Sequence, residues 1–233
     1  MRDVSEPHGE TFVVDQRDTP HGLVVLRSCG PHFEIISDGM FLMDTRNGGS
    51  ERLLVAAALA SAERPQSVLL GGLGVGFSLA EALDSNGIEH VTVVELHETI
   101  IEWNFTHFSA WMGQRFADER LTIVCDDLAN WVLSGDRQFS AICLDVDNGP
   151  TWLSVPSNTA LYDQKGIAAL ARRLLPGGVL GIWSADRAIE LESTLRHNFE
   201  DVSCVEVPVP RGAPDVIYLA TRVQTPEGPA PPE

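Results

Sequence analysis

The sequence contains no apolar run long enough to cross a membrane, and its N-terminal segment MRDVSEPHGE lacks the apolar core of a signal peptide. Hydrophobic residues nevertheless make up 44% of the 233 residues, which is enough to form a globular core. We therefore expect a cytoplasmic globular protein, without membrane association, of a size that suits one α/β domain and a small addition.

Basic residues are scarce. The chain has 16 Lys and Arg against 33 Asp and Glu, which gives a formal net charge of −17. A chain this acidic repels a phosphate backbone, so we expect no nucleic-acid partner. The same charge favours a cationic small molecule as ligand, although most of it is expected to serve solubility.

Cysteine pairs and metal-ligand spacings are also missing. The four cysteines are scattered without a CxxC pair, and the seven histidines show no metal-binding spacing. The GxSxG, HExxH and P-loop signatures are absent as well. These absences predict reduced cysteines and no metal site.

The first 48 residues differ in pattern from the rest. They hold short β-rich segments separated by turn signals, and Asp38-Gly39 is a strong hairpin signal. We expect a small N-terminal antiparallel β-subdomain over residues 1–48.

From residue 49 onward, strand and helix patterns alternate, which is typical of a parallel sheet covered by helices. The first of these helices is ERLLVAAALASA, and Ser50 is its expected cap. The predicted strands are 67–70, 90–95, 121–125, 139–145, 179–183, 202–207 and 216–221. Because only a loop separates the last two, they are expected to form an antiparallel hairpin. The predicted fold is α/β: a Rossmann-like, seven-stranded, mostly parallel sheet over residues 49–222, followed by a disordered Pro-rich tail at 223–233.

A strand, a glycine-rich turn and a helix follow one another in VLLGGLGVGFSLAEAL. The turn holds Gly71, Gly72, Gly74 and Gly76. Glycines let the backbone approach a ligand closely, and the helix N-terminus offers free N–H groups. The pattern indicates an adenosyl-cofactor site, with a tight ligand-free turn as the simpler alternative. A dinucleotide is disfavoured because Phe77 stands where GxGxxG needs its last glycine.

Acidic residues end the next two predicted strands. Glu95 lies roughly twenty residues after the glycines, where a carboxylate can accept hydrogen bonds from both ribose hydroxyls. Asp126 and Asp127 end the following strand and are expected beside the adenine, with a solvated pair or a helix cap as the alternative. His97, close after Glu95, is expected at the surface, with a contact to the ribose as the alternative.

Two further acids lie at the end of the strand that should run beside the glycine-turn strand: Asp145 ends this strand and Asp147 lies in the loop after it. Asp145 is the candidate to hold or deprotonate an amine nucleophile, and Asp147 the candidate to bind a cationic substrate. For Asp147 the alternative is an Asx turn, which Asp-Asn-Gly-Pro favours. Asn148, in the same loop, and Trp183, at the end of a later strand, are expected to contact the substrate.

Together these segments resemble the spermidine synthase (polyamine aminopropyltransferase) family over residues 33–221. GGLGVG is similar to its Gly-Gly-Gly-Asp-Gly-Gly loop, VVELHE to its ribose-binding Val-Glu-Ile-Asp, CDDLANWV to its adenine-binding Gly-Asp, and LDVDNGP to its catalytic Asp-x-x-Asp-Pro. The resemblance implies a homodimer that uses S-adenosylmethionine or decarboxylated S-adenosylmethionine. It also implies a substrate contact by Glu51, the residue kept from the family's Tyr-His-Glu or Tyr-Gln-Glu.

The chain departs from the family at the donor amine. Gly74 stands where the family has the Asp that contacts the aminopropyl amine, and Leu42 replaces a Gln. Neither residue can bind a buried ammonium. We therefore expect an S-adenosylmethionine-dependent transferase acting on a small amine-containing acceptor, with methyl transfer narrowly favoured. Aminopropyl transfer from decarboxylated S-adenosylmethionine is the alternative, and a non-catalytic adenosyl-binding protein is a second.

Overall fold

The computed structural model describes residues 10–150, 152–209 and 212–223. The tail expected to be disordered, 223–233, lies outside the described residues except for Val223, which ends the last strand. Among the described residues, no helix is both long enough and apolar enough to cross a membrane.

A four-stranded antiparallel sheet begins the fold, with its strands in sequence order. The strands are β1 (Thr11–Thr19), β2 (Gly22–Cys29), β3 (His32–Ser37) and β4 (Met40–Asp44). Asp38 (φ 47°) and Gly39 (φ 81°) join β3 to β4, and both have the positive φ that a type I′ hairpin turn requires.

A seven-stranded sheet forms the rest of the core, in the order β10-β11-β9-β8-β5-β6-β7. Its strands are β5 (Ser67–Gly71), β6 (His90–Glu95), β7 (Leu121–Cys125), β8 (Phe139–Leu144), β9 (Leu174–Ser184), β10 (Phe199–Val207) and β11 (Asp215–Val223). Strands β5 to β9 run parallel, whereas β11 runs antiparallel to both β9 and β10. The expected α/β fold with a C-terminal antiparallel hairpin is confirmed.

The helices cover both faces of this sheet. They are α1 (Gly49–Ser61), α2 (Phe77–Asp84), α3 (Glu98–Thr106), α4 (Ser109–Met112), α5 (Leu128–Ser134), α6 (Thr159–Tyr162), α7 (Gln164–Arg172) and α8 (Ile189–Asn198), with 3₁₀ turns at Gly113–Ala117 and Pro156–Asn158. One apolar cluster packs around α5, α7 and α8, and another packs around α1 and α2. Because the central parallel strands are covered on both faces, a strand such as β8 is buried throughout, whereas the edge strand β7 is partly exposed.

Several boundaries differ from the sequence expectation, among them the starts of α1, β9 and β10. Ser50 is not the cap of α1, because the helix begins at Gly49 and Gly48 is its N-cap residue. Gly48 packs so closely on the Phe77 ring that a side chain there would clash with it. Strand β9 begins at Leu174, before the predicted residue 179, because Leu174 already pairs with Phe139 ahead of a register shift.

The small sheet packs directly against the larger domain. Val24, Leu26 and Ile35 are fully buried and share an apolar cluster with Ile100 and Trp103 of α3. The Trp103 Nε1–H also donates to Asp15 Oδ2 of β1 at 3.0 Å. This contact brings β4 over the glycine turn after β5, so the small sheet forms part of the wall of the site described next.

Candidate functional site

A cavity of about 300 Å³ lies at the carboxyl ends of β5, β6 and β8. Met43 of β4 and Glu51 in the first turn of α1 line it from the N-terminal side, and Asp215 at the start of β11 lines it from the C-terminal hairpin. In open α/β sheets, ligands bind at this edge, where the strand order reverses. Here that point lies between β5 and β8, which pair side by side.

The glycine turn divides into two pairs. Gly72 (φ 86°) and Gly74 (φ 52°) line the cavity in conformations that favour glycine. A Cβ on Gly72 would lie 2.7 Å from the Asp145 carbonyl oxygen. Gly71 and Gly76 are not among the described lining residues. Core side chains fill the space beside Gly71, and Gly76 is the N-cap residue of α2.

The carboxylate of Glu95 is buried and held by the backbone. Its Oε2 accepts the Leu73 N–H at 2.8 Å, and its Oε1 accepts the His97 N–H at 2.9 Å. Burial raises the pKa of Glu95, while these backbone hydrogen bonds oppose the rise. Glu95 is therefore fixed at the cavity wall beside the glycine turn.

The two acids after β7 occupy different places. Asp127 lines the cavity, and its Oδ1 caps α5 by accepting the Ala129 N–H at 2.8 Å and the Asn130 N–H at 3.2 Å. The exposed side chain of Asp126 is not among the described lining residues and accepts the Asp127 N–H instead. The cap considered from the sequence is thus present at Asp127.

The acids after β8 differ in their hydrogen bonding. Asp147 is buried and accepts bonds from the Ser154 N–H and Oγ, from Asn158 Nδ2 at 3.0 Å and from the Tyr162 hydroxyl at 2.9 Å. No described residue donates a side-chain or backbone hydrogen bond to the Asp145 carboxylate, although it too lines the cavity. Asp147 therefore has its bonding capacity filled by the protein, whereas Asp145 faces the cavity.

Negative charge accumulates around Asp145. The pKa of Asp145 is raised to about 8. The main cause is burial, and the negative charges of Glu51 and Asp215 add to it. Burial also raises the pKa values of Glu51 and Asp215, and the Ser50 and Trp183 side chains partly offset the rise at Asp215. None of the described lining residues is Lys or Arg. This end of the cavity is therefore built to receive positive charge.

The structure brings most of the predicted site residues to one cavity. Those that line it are Glu51, Gly72, Gly74, Glu95, Asp127, Asp145, Asp147, Asn148 and Trp183. Sequence reasoning missed Asp215 and Met43. The available signal for Asp215 was topological, because an antiparallel strand that follows a parallel sheet begins at the sheet's carboxyl edge.

His97 is not at the surface as expected, because it is only 6% exposed and lines the cavity at the N-terminus of α3. Burial lowers its pKa, and the nearby His21 ring, 5.8 Å away between centroids, lowers it further. Both effects favour the neutral form of the His97 side chain. Among the described residues, no group of three or more His, Cys, Asp or Glu side chains is arranged to hold a metal ion.

Comparison with known proteins assigns the chain to a family. A family profile described as Spermine/spermidine synthase domain matches residues 49–220. The chain belongs to the spermine/spermidine synthase family.

Among individual relatives, polyamine aminopropyltransferase 2 of Pseudomonas aeruginosa is 27% identical over 169 residues, covering 68% of this chain and 46% of the relative. Putrescine N-methyltransferase 2 of Nicotiana attenuata is 30% identical over 144 residues, covering 60% of this chain and 37% of the relative. The chain spans less than half the length of these curated relatives. Their names describe the transfer of different groups, an aminopropyl group and a methyl group, so kinship does not choose between the two reactions.

Solved structures show the same fold. A spermidine synthase crystallised with the transition-state analogue AdoDATO superposes with a TM-score of 0.78 at 17% identity, covering 91% of this chain and 74% of that chain. Spermidine synthase from Thermotoga maritima gives a TM-score of 0.75 at 15% identity, covering 90% of this chain and 72% of that chain. The expected Rossmann-like architecture is therefore confirmed.

Proposed function

We propose that this chain transfers a methyl group from S-adenosylmethionine to an amine nitrogen of a small cationic acceptor. The observation that carries the proposal is the Asp145 carboxylate, which receives no hydrogen bond from the described residues and lies among other acids, with a pKa raised to about 8. A general base works best when its pKa lies near the working pH. Asp145 is thus suited to take a proton from an ammonium group.

The nucleoside half of the cavity suits the donor. Glu95 is held where its remaining lone pairs can accept hydrogen bonds from two ribose hydroxyls, and Gly72 and Gly74 leave the backbone bare beside it. Asp127 and Leu128 line the same half, at the start of α5. We propose that these residues bind the adenosyl group.

At the acceptor half, Asp145 removes one proton from the acceptor ammonium and so frees the nitrogen lone pair. S-adenosylmethionine, when bound, would supply a sulfonium methyl carbon. Its bond to sulfur would break as the bond to nitrogen forms, and the bonding electrons would stay on the neutral thioether. Asp145 keeps the proton until solvent removes it. Alignment of donor and acceptor in the cavity supplies much of the rate, because two bound reactants have already lost the translational and rotational entropy of encounter.

Met43 supports methyl transfer over aminopropyl transfer. Its sulfur occupies the space where a side chain at Gly74 would lie and accepts the Val75 N–H at 3.2 Å. Gly74 is the position at which the sequence resemblance implies an acid for the donor amine. Here an apolar thioether fills that space, so a donor aminopropyl group has no carboxylate partner at this position.

Aminopropyl transfer from decarboxylated S-adenosylmethionine is the second candidate. It is favoured by the absence of Lys and Arg among the described lining residues, since the carboxylate of intact S-adenosylmethionine meets no side-chain cation there. In methyl transfer, by contrast, the carboxylate of intact S-adenosylmethionine would depend on backbone N–H groups near the start of α2.

The two reactions leave different nucleosides. Purified protein is incubated with putrescine and either donor, and S-adenosylhomocysteine and methylthioadenosine are quantified. We expect S-adenosylhomocysteine from S-adenosylmethionine. Release of methylthioadenosine from decarboxylated S-adenosylmethionine would replace methyl transfer by the second candidate, and binding of methylthioadenosine without any turnover would leave a non-catalytic binding protein.

A further inference from the structure

One side chain of α3 reaches from its helix to the glycine turn. Asn104 is fully buried, and its Nδ2 donates to the Gly74 carbonyl oxygen at 2.7 Å and to the Ile100 carbonyl oxygen at 2.9 Å. Both neighbours are acceptors, so only the amide nitrogen can face them. A Cβ on Gly76 would lie 3.2 Å from Asn104 Oδ1, so the whole amide packs against the turn.

Burying this amide lowers the stability of the fold. Asn104 Oδ1 finds no hydrogen-bond donor among the described residues, and a buried acceptor without a partner destabilises the folded state. Asn is also a weaker helix former than an apolar residue of similar size such as leucine. Packing alone therefore does not call for an amide here, and the feature that the amide supplies is its hydrogen bond to Gly74.

This hydrogen bond fixes the direction of one peptide unit. The carbonyl and the N–H of a trans peptide point in opposite directions. Because Asn104 holds the Gly74 carbonyl toward α3, the Val75 N–H points the other way, and Met43 Sδ of β4 accepts it at 3.2 Å. Glycine tolerates both orientations of such a peptide, and Gly74 has a φ of 52°. The choice between the orientations therefore depends on the Asn104 and Met43 side chains.

The orientation decides which group the cavity wall offers to a ligand. Met43 and Gly74 both line the cavity, so the N–H directed at Met43 lies at its wall. A thioether is a weak acceptor on a flexible side chain, and an anionic carboxylate would displace it from this N–H. The reversed peptide would present the Gly74 carbonyl oxygen instead, which suits an ammonium group.

We propose that Asn104 is a positioning residue that holds the Gly74–Val75 peptide with its N–H toward the cavity and thereby favours a donor with a carboxylate over a donor with an ammonium alone. The inference rests on the proposed use of S-adenosylmethionine, whose amino-acid arm carries that carboxylate. It identifies one backbone N–H that binds this arm in a cavity whose described lining residues include no Lys or Arg.

The test compares two ligands that share the adenosine group. S-adenosylhomocysteine carries the amino-acid arm, and methylthioadenosine does not. The variant is Asn104→Ser, whose shorter side chain still donates to the Ile100 carbonyl one helical turn away but does not reach Gly74. By calorimetry, we expect the Kd of S-adenosylhomocysteine to rise about 10-fold, because a charge-assisted hydrogen bond loses its fixed donor. The Kd of methylthioadenosine should stay unchanged.

Ser140→Ala is the matched control. Ser140 is buried near the start of β8, outside the cavity, and its hydroxyl donates to the Ser67 carbonyl oxygen at 2.7 Å. Like Asn104, it holds a backbone carbonyl from a buried side chain, so both replacements should lower the melting temperature. The control should bind both ligands as the wild type does.

A second measurement needs no variant, and it decides the matter if Asn104→Ser does not fold. In the wild type, amide hydrogen exchange at Val75 is followed by NMR with each ligand bound. S-adenosylhomocysteine should slow this exchange, since its carboxylate replaces the weak thioether acceptor, whereas methylthioadenosine should slow it less.

Three outcomes would overturn the inference: equal losses of affinity for the two ligands, an unchanged Kd of S-adenosylhomocysteine in Asn104→Ser, or equal exchange at Val75 with either ligand. The transferase proposal is decided separately, by wild-type turnover. A wild type that binds S-adenosylhomocysteine but never forms it from S-adenosylmethionine would overturn the proposed function, while slowed exchange at Val75 would still support the role of Asn104.

Discussion

Two aspartates only two positions apart are given different chemistry by their surroundings. The protein donates four hydrogen bonds to Asp147, whereas among the described residues none is donated to Asp145. A carboxylate that accepts several hydrogen bonds from fixed donors is a poor base, because these hydrogen bonds stabilise its ionised form. We therefore assign proton transfer to Asp145 and the positioning of its loop to Asp147.

Replacing the proposed base tests this division. Asp145→Asn keeps the shape of the side chain but cannot accept a proton from the acceptor, so we expect kcat to fall about 10²- to 10⁴-fold. Calorimetry with methylthioadenosine should show an unchanged Kd. Asp186→Asn, at an exposed position outside the cavity, is the control. Full activity in Asp145→Asn would remove Asp145 from the mechanism.

Replacing the proposed ribose ligand tests the nucleoside half. Glu95→Gln loses the negative charge that would strengthen two hydroxyl hydrogen bonds, and we expect methylthioadenosine to bind about 10- to 100-fold more weakly. The control is Glu89→Gln, an exposed acid just before β6. Equal affinity in Glu95→Gln and the wild type, measured by calorimetry, would place the nucleoside elsewhere.

At the scale of elements, the loop between β8 and α7 is organised around one buried carboxylate. Asp147 collects donors from Ser154, Asn158 and Tyr162, which lie in the loop, the 3₁₀ turn and α6. Leu161 and Tyr162 of α6 also pack into an apolar cluster, whereas Ser154 and Asn158 are joined to Asp147 by hydrogen bonds. Their hydrogen bonds to Asp147 therefore set the position of the chain on either side of Asp145.

Tyr162→Phe should loosen this loop. Removing the hydroxyl leaves a buried carboxylate oxygen without its donor, so the free energy of unfolding should fall by about 1–3 kcal/mol and the KM for the acceptor should rise. Tyr218→Phe is the matched control, since the Tyr218 hydroxyl accepts the buried Ala188 N–H at 2.7 Å and Tyr218 is not among the described lining residues.

The control should lose stability without a change in KM. Denaturant unfolding measures the first quantity and steady-state kinetics the second. A Tyr162→Phe variant with wild-type KM would show that the loop does not position the acceptor site.

At the scale of the whole molecule, stability and function oppose each other at the acid-lined cavity. The fold is held by apolar clusters on both faces of the large sheet and by a third that joins it to the small sheet. The site adds carboxylates whose pKa values are raised, largely by burial. Such groups destabilise the folded state when they ionise. Assembly as a homodimer and a cytoplasmic location stay predictions.

This opposition predicts the pH dependence of stability. In the unfolded chain Asp145 loses its proton near 3.8, whereas in the folded protein it keeps it up to about 8. The folded state therefore binds more protons between these values, and stability should fall as pH rises through that window. Asp118, with a pKa lowered to about 2, is ionised in both states there and adds no slope.

Melting temperatures measured from about pH 5 to about pH 8 check this expectation. The wild type should lose stability across the range, and Asp145→Asn should lose less. Asp186→Asn should keep the wild-type slope, since that exposed carboxylate lies outside the cavity. A slope that is the same in all three proteins would show that Asp145 is not the group responsible.

The sequence by itself determined the alternation of strands and helices, the final hairpin and most of the site. Hydrophobic period, glycine-rich turns and acids at strand ends are local signals, and parallel strands bring their carboxyl ends to one edge. For this reason Glu95 and Asp145 were recognisable before any coordinates. The short helices α4 and α6 were not predicted, because a helix of four residues shows too little hydrophobic periodicity in the sequence.

Only the tertiary structure decided which acids are free and which are engaged. Asp127 caps α5, and Asp147 accepts hydrogen bonds from several donors. Asp215 lies at the start of β11, which runs antiparallel to β9. His97 is buried because the small sheet packs over α3, a contact between distant parts of the chain. Burial and hydrogen bonding depend on neighbours remote in sequence, and these neighbours set the charge and the chemistry of each group.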